Sequence, residues 1–127
     1  MREPWQVSQV FVFGSNLAGI HGAGAAVYAV AMCGAYHGIG EGRTGQSYAL
    51  PTCSLPGTPL TLPEVHGAVN RFIKHACSYP SVQFFVTRVG CGFAGFTDEQ
   101  IAPMFTGYAV SHGAGFANII LPEWDNF

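Results

Sequence analysis

Two stretches of this chain carry residue types that handle anions and sugars with very little charge. The first, "VFVFGSNLAGIHGAGAAVY" from Val10 to Tyr28, runs out of an apolar segment into small residues that include Gly14, Ser15, Asn16, Gly19, His21, Gly22, Ala23 and Gly24. The second, "GCGFAGF", places Gly90, Cys91, Gly92, Phe93, Ala94, Gly95 and Phe96 after another apolar segment. Glycine lets backbone N–H groups approach a ligand closely, and a helix that follows adds the positive end of its dipole. Either stretch can therefore hold a phosphate without a lysine, and two at one edge suit a diphosphate better than a lone phosphate. His21 has an unperturbed pKa of about 6.5, so it qualifies as a general base or as a hydrogen-bond partner for a ribose hydroxyl. Arg43, set among glycines in "EGRTGQ", is a candidate to reach a phosphate. Asp98 and Glu99 open a helical segment, where carboxylates favour the dipole.

Known nucleotide motifs fit the first stretch poorly. "GSNLAGIH" has the G-x-x-x-x-G spacing of a P-loop, but Ile20 and His21 stand where lysine and a hydroxyl residue are required, which argues against ATP hydrolysis. "GAGAAV" from Gly22 is close to a dinucleotide fingerprint, yet Val27 replaces its third glycine. The acidic residue expected about twenty positions on is met only by Glu41, inside a glycine-rich segment. A Rossmann-like dinucleotide binder stays as an alternative.

The elements that must position these stretches alternate. Gln9–Phe13 reads as a strand, and Ala23–Cys33 as a helix ending at Gly34. A glycine-rich connector leads to a strand over Ser47–Leu50, stopped by Pro51, and "TCSLPGTPLT" reads as loop. Thr61 and Glu64 predict a capping box, with Pro63 in the first turn and one apolar stripe of Val65, Val69, Phe72, Ile73, Ala76 and Cys77. "SVQFFVTRV" from Ser81 is the next strand. A helix begins near Thr97, capped by Gln100, with Ile101, Phe105 and Tyr108 inward and Pro103 tolerated near its first turn. "GFANIIL" closes as a strand. This alternation predicts a single α/β domain, with a mixed, largely parallel sheet covered on both faces. In such a sheet ligands bind at the carboxyl ends of strands, where both glycine-rich stretches fall.

Composition narrows the partners. Only 9% of the 127 residues are charged, against roughly 25% in an average domain. With a net charge of −2 and five scattered Lys and Arg, the chain has no footprint for a nucleic-acid backbone. No run approaches the ~18 apolar residues of a membrane span, and "MREPWQVSQ" lacks a signal-type apolar region, so a soluble cytoplasmic protein is expected. Cys33, Cys53, Cys77 and Cys91 form no C-x-x-C pair, so neither a disulfide framework nor a metal site is expected. Cys33 and Cys77 read as buried, and Cys91, between two glycines, is left open. His66, His75 and His112 suggest no ligation. Ten phenylalanines in a weakly charged domain predict exposed apolar surface and a homodimer.

The arrangement resembles the macro domains, which bind ADP-ribose. "FGSNLAGIHGAGAAVY" is similar to their first strand, Asn-containing turn, glycine run and helix, and "RVGCGFAGF" to their second phosphate loop. "GRTGQSYALPT" is similar to the strand between, above all in the divergent branch whose second loop reads "GCG". The resemblance covers about Val10 to Phe96. It implies a three-layer α/β/α sandwich in which Asn16 contacts the distal ribose and Gly19–Gly24 wrap that ribose and the diphosphate. It also implies that Gly90–Gly95 cup the phosphates, with Phe96 near the distal ribose. The adenine-reading aspartate of many macro domains is replaced by Ser8 and Gln9. The lysine and aspartate that the "GCG" branch uses for a lysine adduct correspond to Cys53 and Ala94 here, which removes that mechanism. The expected function is binding of an ADP-ribose-type molecule or an ADP-ribosylated substrate without cofactor. Hydrolysis at C1″ through Asn16 and His21 is one form of it, and an assembly protein with a vestigial pocket is the alternative.

Overall fold

We describe residues 5–92, 94–112 and 117–124 of a computed structural model, and for 108–112 the backbone alone. In chain order the elements are β1 (Gln9–Asn16), α1 (Ala25–Cys33), β2 (Gly42–Thr44), β3 (Ser47–Leu55), β4 (Thr58–Pro59), α2 (Leu62–Cys77), β5 (Gln83–Val86), α3 (Asp98–His112) and β6 (Ile119–Ile120). The class is α/β. The sheet is ordered β2-β3-β1-β5-β6, with β4 also pairing β3. β1 is parallel to β3 and β5, and β6 to β5, whereas β2 and β4 run antiparallel to β3.

β1 holds the centre because it is apolar on both faces. Successive side chains of a strand point to opposite sides. Val10 and Val12 enter a core with Leu50, Val69, Phe72, Phe84 and Phe105, to which α2 and α3 contribute. Phe11 and Phe13 enter a second core with Ala26, Ala29, Cys33 and Ala49, to which α1 contributes. The capping box of α2 is complete, with Glu64 N–H donating to Thr61 Oγ1 and Thr61 N–H to Glu64 Oε1. Thr97 and Gln100 form the same reciprocal pair ahead of α3. α1 ends at Gly34 in the left-handed region, φ 75°, as its sequence predicts.

Several boundaries differ from the sequence expectations. β1 continues past Phe13 to Asn16, because β3 offers parallel partners as far as Cys53, with an irregularity between Ser15 and Asn16. β3 does not stop at Pro51. The missing N–H is tolerated because β3 pairs with β2 only up to Ala49 and with β4 only from Cys53, which leaves Pro51 in the gap. β2 and β4 themselves lie in segments that read as connector and loop. α1 starts at Ala25, two residues later than expected, after Gly24 at φ 61°. Cys77 is exposed, since the α2 stripe ends at Ala76 and the next position turns toward solvent. Pro103 lies inside α3 beyond its first turn, so the helix forgoes a hydrogen bond to the Glu99 carbonyl there. The expected inward side of Tyr108 lies outside the described side chains. Among the described residues no helix is long and apolar enough to cross a membrane.

Phe72 ties α2 to the sheet and to α3: its ring meets Tyr48, Phe84 and Phe105 with centroids 5.0, 5.7 and 6.3 Å away, and it is fully buried. Phe72→Ala is expected to lower unfolding free energy by ~3–5 kcal/mol in denaturant titration. A loss below ~1 kcal/mol would mean that this core repacks around the void.

Candidate functional site

The connection after β1 enters α1 on one face of the sheet, and the connection after β5 enters α3 on the other. A crevice must open between diverging connections at the carboxyl ends of two adjacent strands. A cavity of about 540 Å³ occupies it. That volume lies within the ~300–1,000 Å³ of small-molecule sites. One wall is Gly14, Ser15, Asn16 and Ile20 with Gly22 through Ala26; the other is Thr87 through Gly90 with Gly92 and Ala94. Thr52, Cys53, Pro56 and Gly57 close the third side. A glycine can line a cavity only with backbone, and Gly14, Gly22, Gly24, Gly57, Gly90 and Gly92 all do so.

The first wall is held by a lock between two loops. Asn16 is buried, and its amide grips the backbone of Ile20 twice, Nδ2 donating to the carbonyl at 2.8 Å and Oδ1 accepting from the N–H at 3.0 Å. Gly19 N–H donates to the Asn16 carbonyl, and Gly38 N–H to the Gly19 carbonyl, both at 2.9 Å. Gly19 takes φ 71°, and a Cβ there would stand 2.4 Å from the Gly38 carbonyl carbon. A Cβ on Gly40 would be 2.4 Å from the Asn16 oxygen. Backbone meets backbone at both points, so neither position admits a side chain.

His21 belongs to this lock and not to the cavity wall. It is 3% exposed, its Nε2 lies 3.1 Å from the Ile39 carbonyl, and its ring abuts Phe13 and His37. Burial lowers its pKa below 6.5, the more so with His37 nearby and against the opposing pull of the Ile39 and Tyr36 carbonyls.

The second wall is organised by one carboxylate. Asp98, at the first turn of α3, accepts from Arg88 Nε at 3.1 Å and from Arg88 Nη2 at 2.8 Å. The Cys91 thiol also donates to Asp98 Oδ1, at 3.2 Å. Burial, reinforced by that carboxylate, pushes the Cys91 thiol up to about 11, so it stays protonated and is no nucleophile near neutral pH. Turns inside the loop use the N–H groups of Cys91, Gly95 and Phe96. Phe96 packs against the first core beneath Gly90.

Of the residues expected from sequence, the cavity collects Gly14, Ser15, Asn16, Gly22, Ala23, Gly24, Gly90, Gly92 and Ala94. Gly19, His21, Cys91, Gly95 and Phe96 are not among the lining residues, and Phe93 lies outside the described residues. Arg43 sits on β2, away from the cavity, with Nε 3.5 Å from the Gly45 carbonyl. Glu41 pairs in bidentate fashion with Arg71 of α2 at 2.6 and 3.0 Å, which occupies the one acid a dinucleotide fingerprint could have used. Sequence reasoning missed Arg88, Thr52 and Thr87. Thr87 and Arg88 follow directly on β5 and precede a glycine loop, a position legible in the sequence. Thr52 follows Pro51, a residue type that signals the end of a strand. Among the described residues that line the cavity there is no imidazole and no carboxylate, so it offers positioning and backbone donors but no side-chain base.

The buried His21 makes stability depend on pH. Its folded pKa lies below the unfolded value of 6.5, so the unfolded chain binds the extra proton and stability falls as pH drops below about 6.5. His75, lowered by burial and by Arg43, adds to the same trend. Thermal melts from pH 7 to pH 5 are expected to show a falling midpoint, with a shallower fall in His21→Gln. Equal slopes would mean that His21 is protonated without cost in the folded state.

No protein-family model matches the chain, and neither does any curated protein or solved structure.

Proposed function

We propose that this chain binds ADP-ribose or a related nucleotide diphosphate ribose in the cavity between Gly14–Gly24 and Gly90–Gly95. In this reading the molecule is a three-layer α/β/α sandwich of macro-domain type, with α1 over one face of the sheet and α2 and α3 over the other. The observation that carries the reading is the cavity's backbone lining, five glycines on β1 and the connections that follow β1 and β5, with Gly57 on the third side. Backbone amides with the positive end of α1 between them are the neutral means of holding a diphosphate. Asn16 supports a ribose at the same wall. Its amide bonds Ile20 with one N–H and one lone pair, which leaves a second of each for hydroxyls.

Recognition without turnover is the leading form of this proposal, because the described wall carries no side-chain base. Hydrolysis at C1″ is the second form, favoured by Asn16 on the wall, and would run through a water positioned by Asn16 and backbone, with His21 acting only through the loop it locks.

ADP-ribose is expected to bind with micromolar affinity, roughly −8 kcal/mol, and more tightly than AMP, which lacks the second phosphate and distal ribose. Gly22 and Gly92 supply a clean control: neither has positive φ, and a Cβ on either meets nothing within 4 Å. Gly22→Val and Gly92→Val should therefore keep the ligand-free melting temperature while calorimetry finds ADP-ribose binding abolished. Normal binding in both variants would reduce the loops to turns.

A homodimer is part of the proposal. Leu17, Ile20, Tyr36 and Ile39 are 52%, 51%, 65% and 41% exposed, and they share the two interlocked loops. Apolar side chains grouped on one rigid surface are the usual mark of a contact. Light scattering at micromolar concentration is expected to return twice the chain mass, and a monomer mass would reject the dimer.

A further inference from the structure

Arg88 is the only formally charged side chain among the described residues that line the cavity. Its side chain is 50% exposed, whereas that of its partner Asp98 is 6% exposed and lies off the wall. Of the ion pair, the positive member is thus the one that lines the cavity. Coulomb energy falls inversely with distance, so an anion in the cavity interacts more strongly with the member of the pair that lines it than with the one that does not. The bidentate grip of Asp98 fixes the plane of the guanidinium fork, and Cys91 and the start of α3 fix Asp98 in turn. Pre-set orientation matters here, because a free arginine loses rotamer entropy on binding. The chain as a whole carries a net charge of −2, so any preference for an anion has to be local.

We propose that Arg88 is the specificity-determining contact of this cavity, selecting ligands that carry a phosphate or diphosphate over uncharged nucleosides, with Asp98 as its positioning residue. The identity of the ligand rests on the ADP-ribose reading; the preference for charge rests on Arg88 itself.

Replacing Arg88 alone would strand a buried carboxylate, so the informative variant is Arg88→Gln with Asp98→Asn, which leaves a neutral amide pair. Arg88→Lys is its companion, keeping the charge and losing the fork. Calorimetry with ADP-ribose, adenosine and inorganic pyrophosphate, each at low and high salt, reads the effect. The double variant should lose about 10- to 100-fold in affinity for ADP-ribose and pyrophosphate, keep its affinity for adenosine, and show a flatter salt dependence. Arg88→Lys should fall between. Wild-type affinity for both anions in the double variant overturns the inference and leaves the ADP-ribose reading standing. Arg88-dependent binding of pyrophosphate without binding of ADP-ribose supports the inference and removes that reading. Binding of neither anion by the wild-type protein removes both.

Discussion

A strand segment that is paired on both edges and apolar on both faces cannot touch water along any side, and Val10–Val12 of β1 is such a segment. Parallel partners on each edge require crossover connections, and helices are the means of making them. Two apolar faces require cover on both, so α1 is drawn to Phe11 and Phe13 while α2 and α3 are drawn to Val10 and Val12. The connections that leave β1 and β5 must then part toward opposite faces, and the opening between them follows from that parting. The cavity is thus a by-product of burying four consecutive residues, Val10 through Phe13.

What fills the walls of that opening is a second matter, decided by close approach. Gly19 and Gly40 are needed because two loop backbones touch there, whereas Gly22 and Gly92 face open space. The same residue type therefore serves two physical ends within one short region. The first pair makes a wall rigid and the second keeps a volume clear. Polar side chains near the cavity are mostly spent on the frame: Asn16 on Ile20, Thr87 on the Val12 carbonyl, Ser15 on the Gly40 carbonyl. A cavity lined in this way presents backbone geometry more than side-chain chemistry.

The parts legible in the sequence were those set by strong local rules. The apolar stripe and capping box of α2, the continuous apolar run of β1, the left-handed stop at Gly34 and the placement of both glycine loops all follow from residue type and spacing. The parts that were not legible depend on neighbours. β2 and β4 are short and pair only because β3 is there to receive them, and Pro51 passes through a strand only because its partners are interrupted at that position. His21 looks like a reactive loop residue until the 36–40 segment covers it. Arg88 and Asp98 are ten positions apart, and no periodicity brings them together; the loop geometry between β5 and α3 does.

The interrupted pairing along β3 also bears on how this sheet meets other molecules. An uncovered strand of nine residues would offer a long ladder of donors and acceptors to any extended chain that came alongside. Here that flank is taken up in two short pieces, by β2 and by β4, and the interval between them holds a residue with no N–H to give. A visiting strand would find no unbroken row on this flank. Growth of the sheet by an added strand, the route that leads to open-ended aggregates, is thereby hindered at this flank.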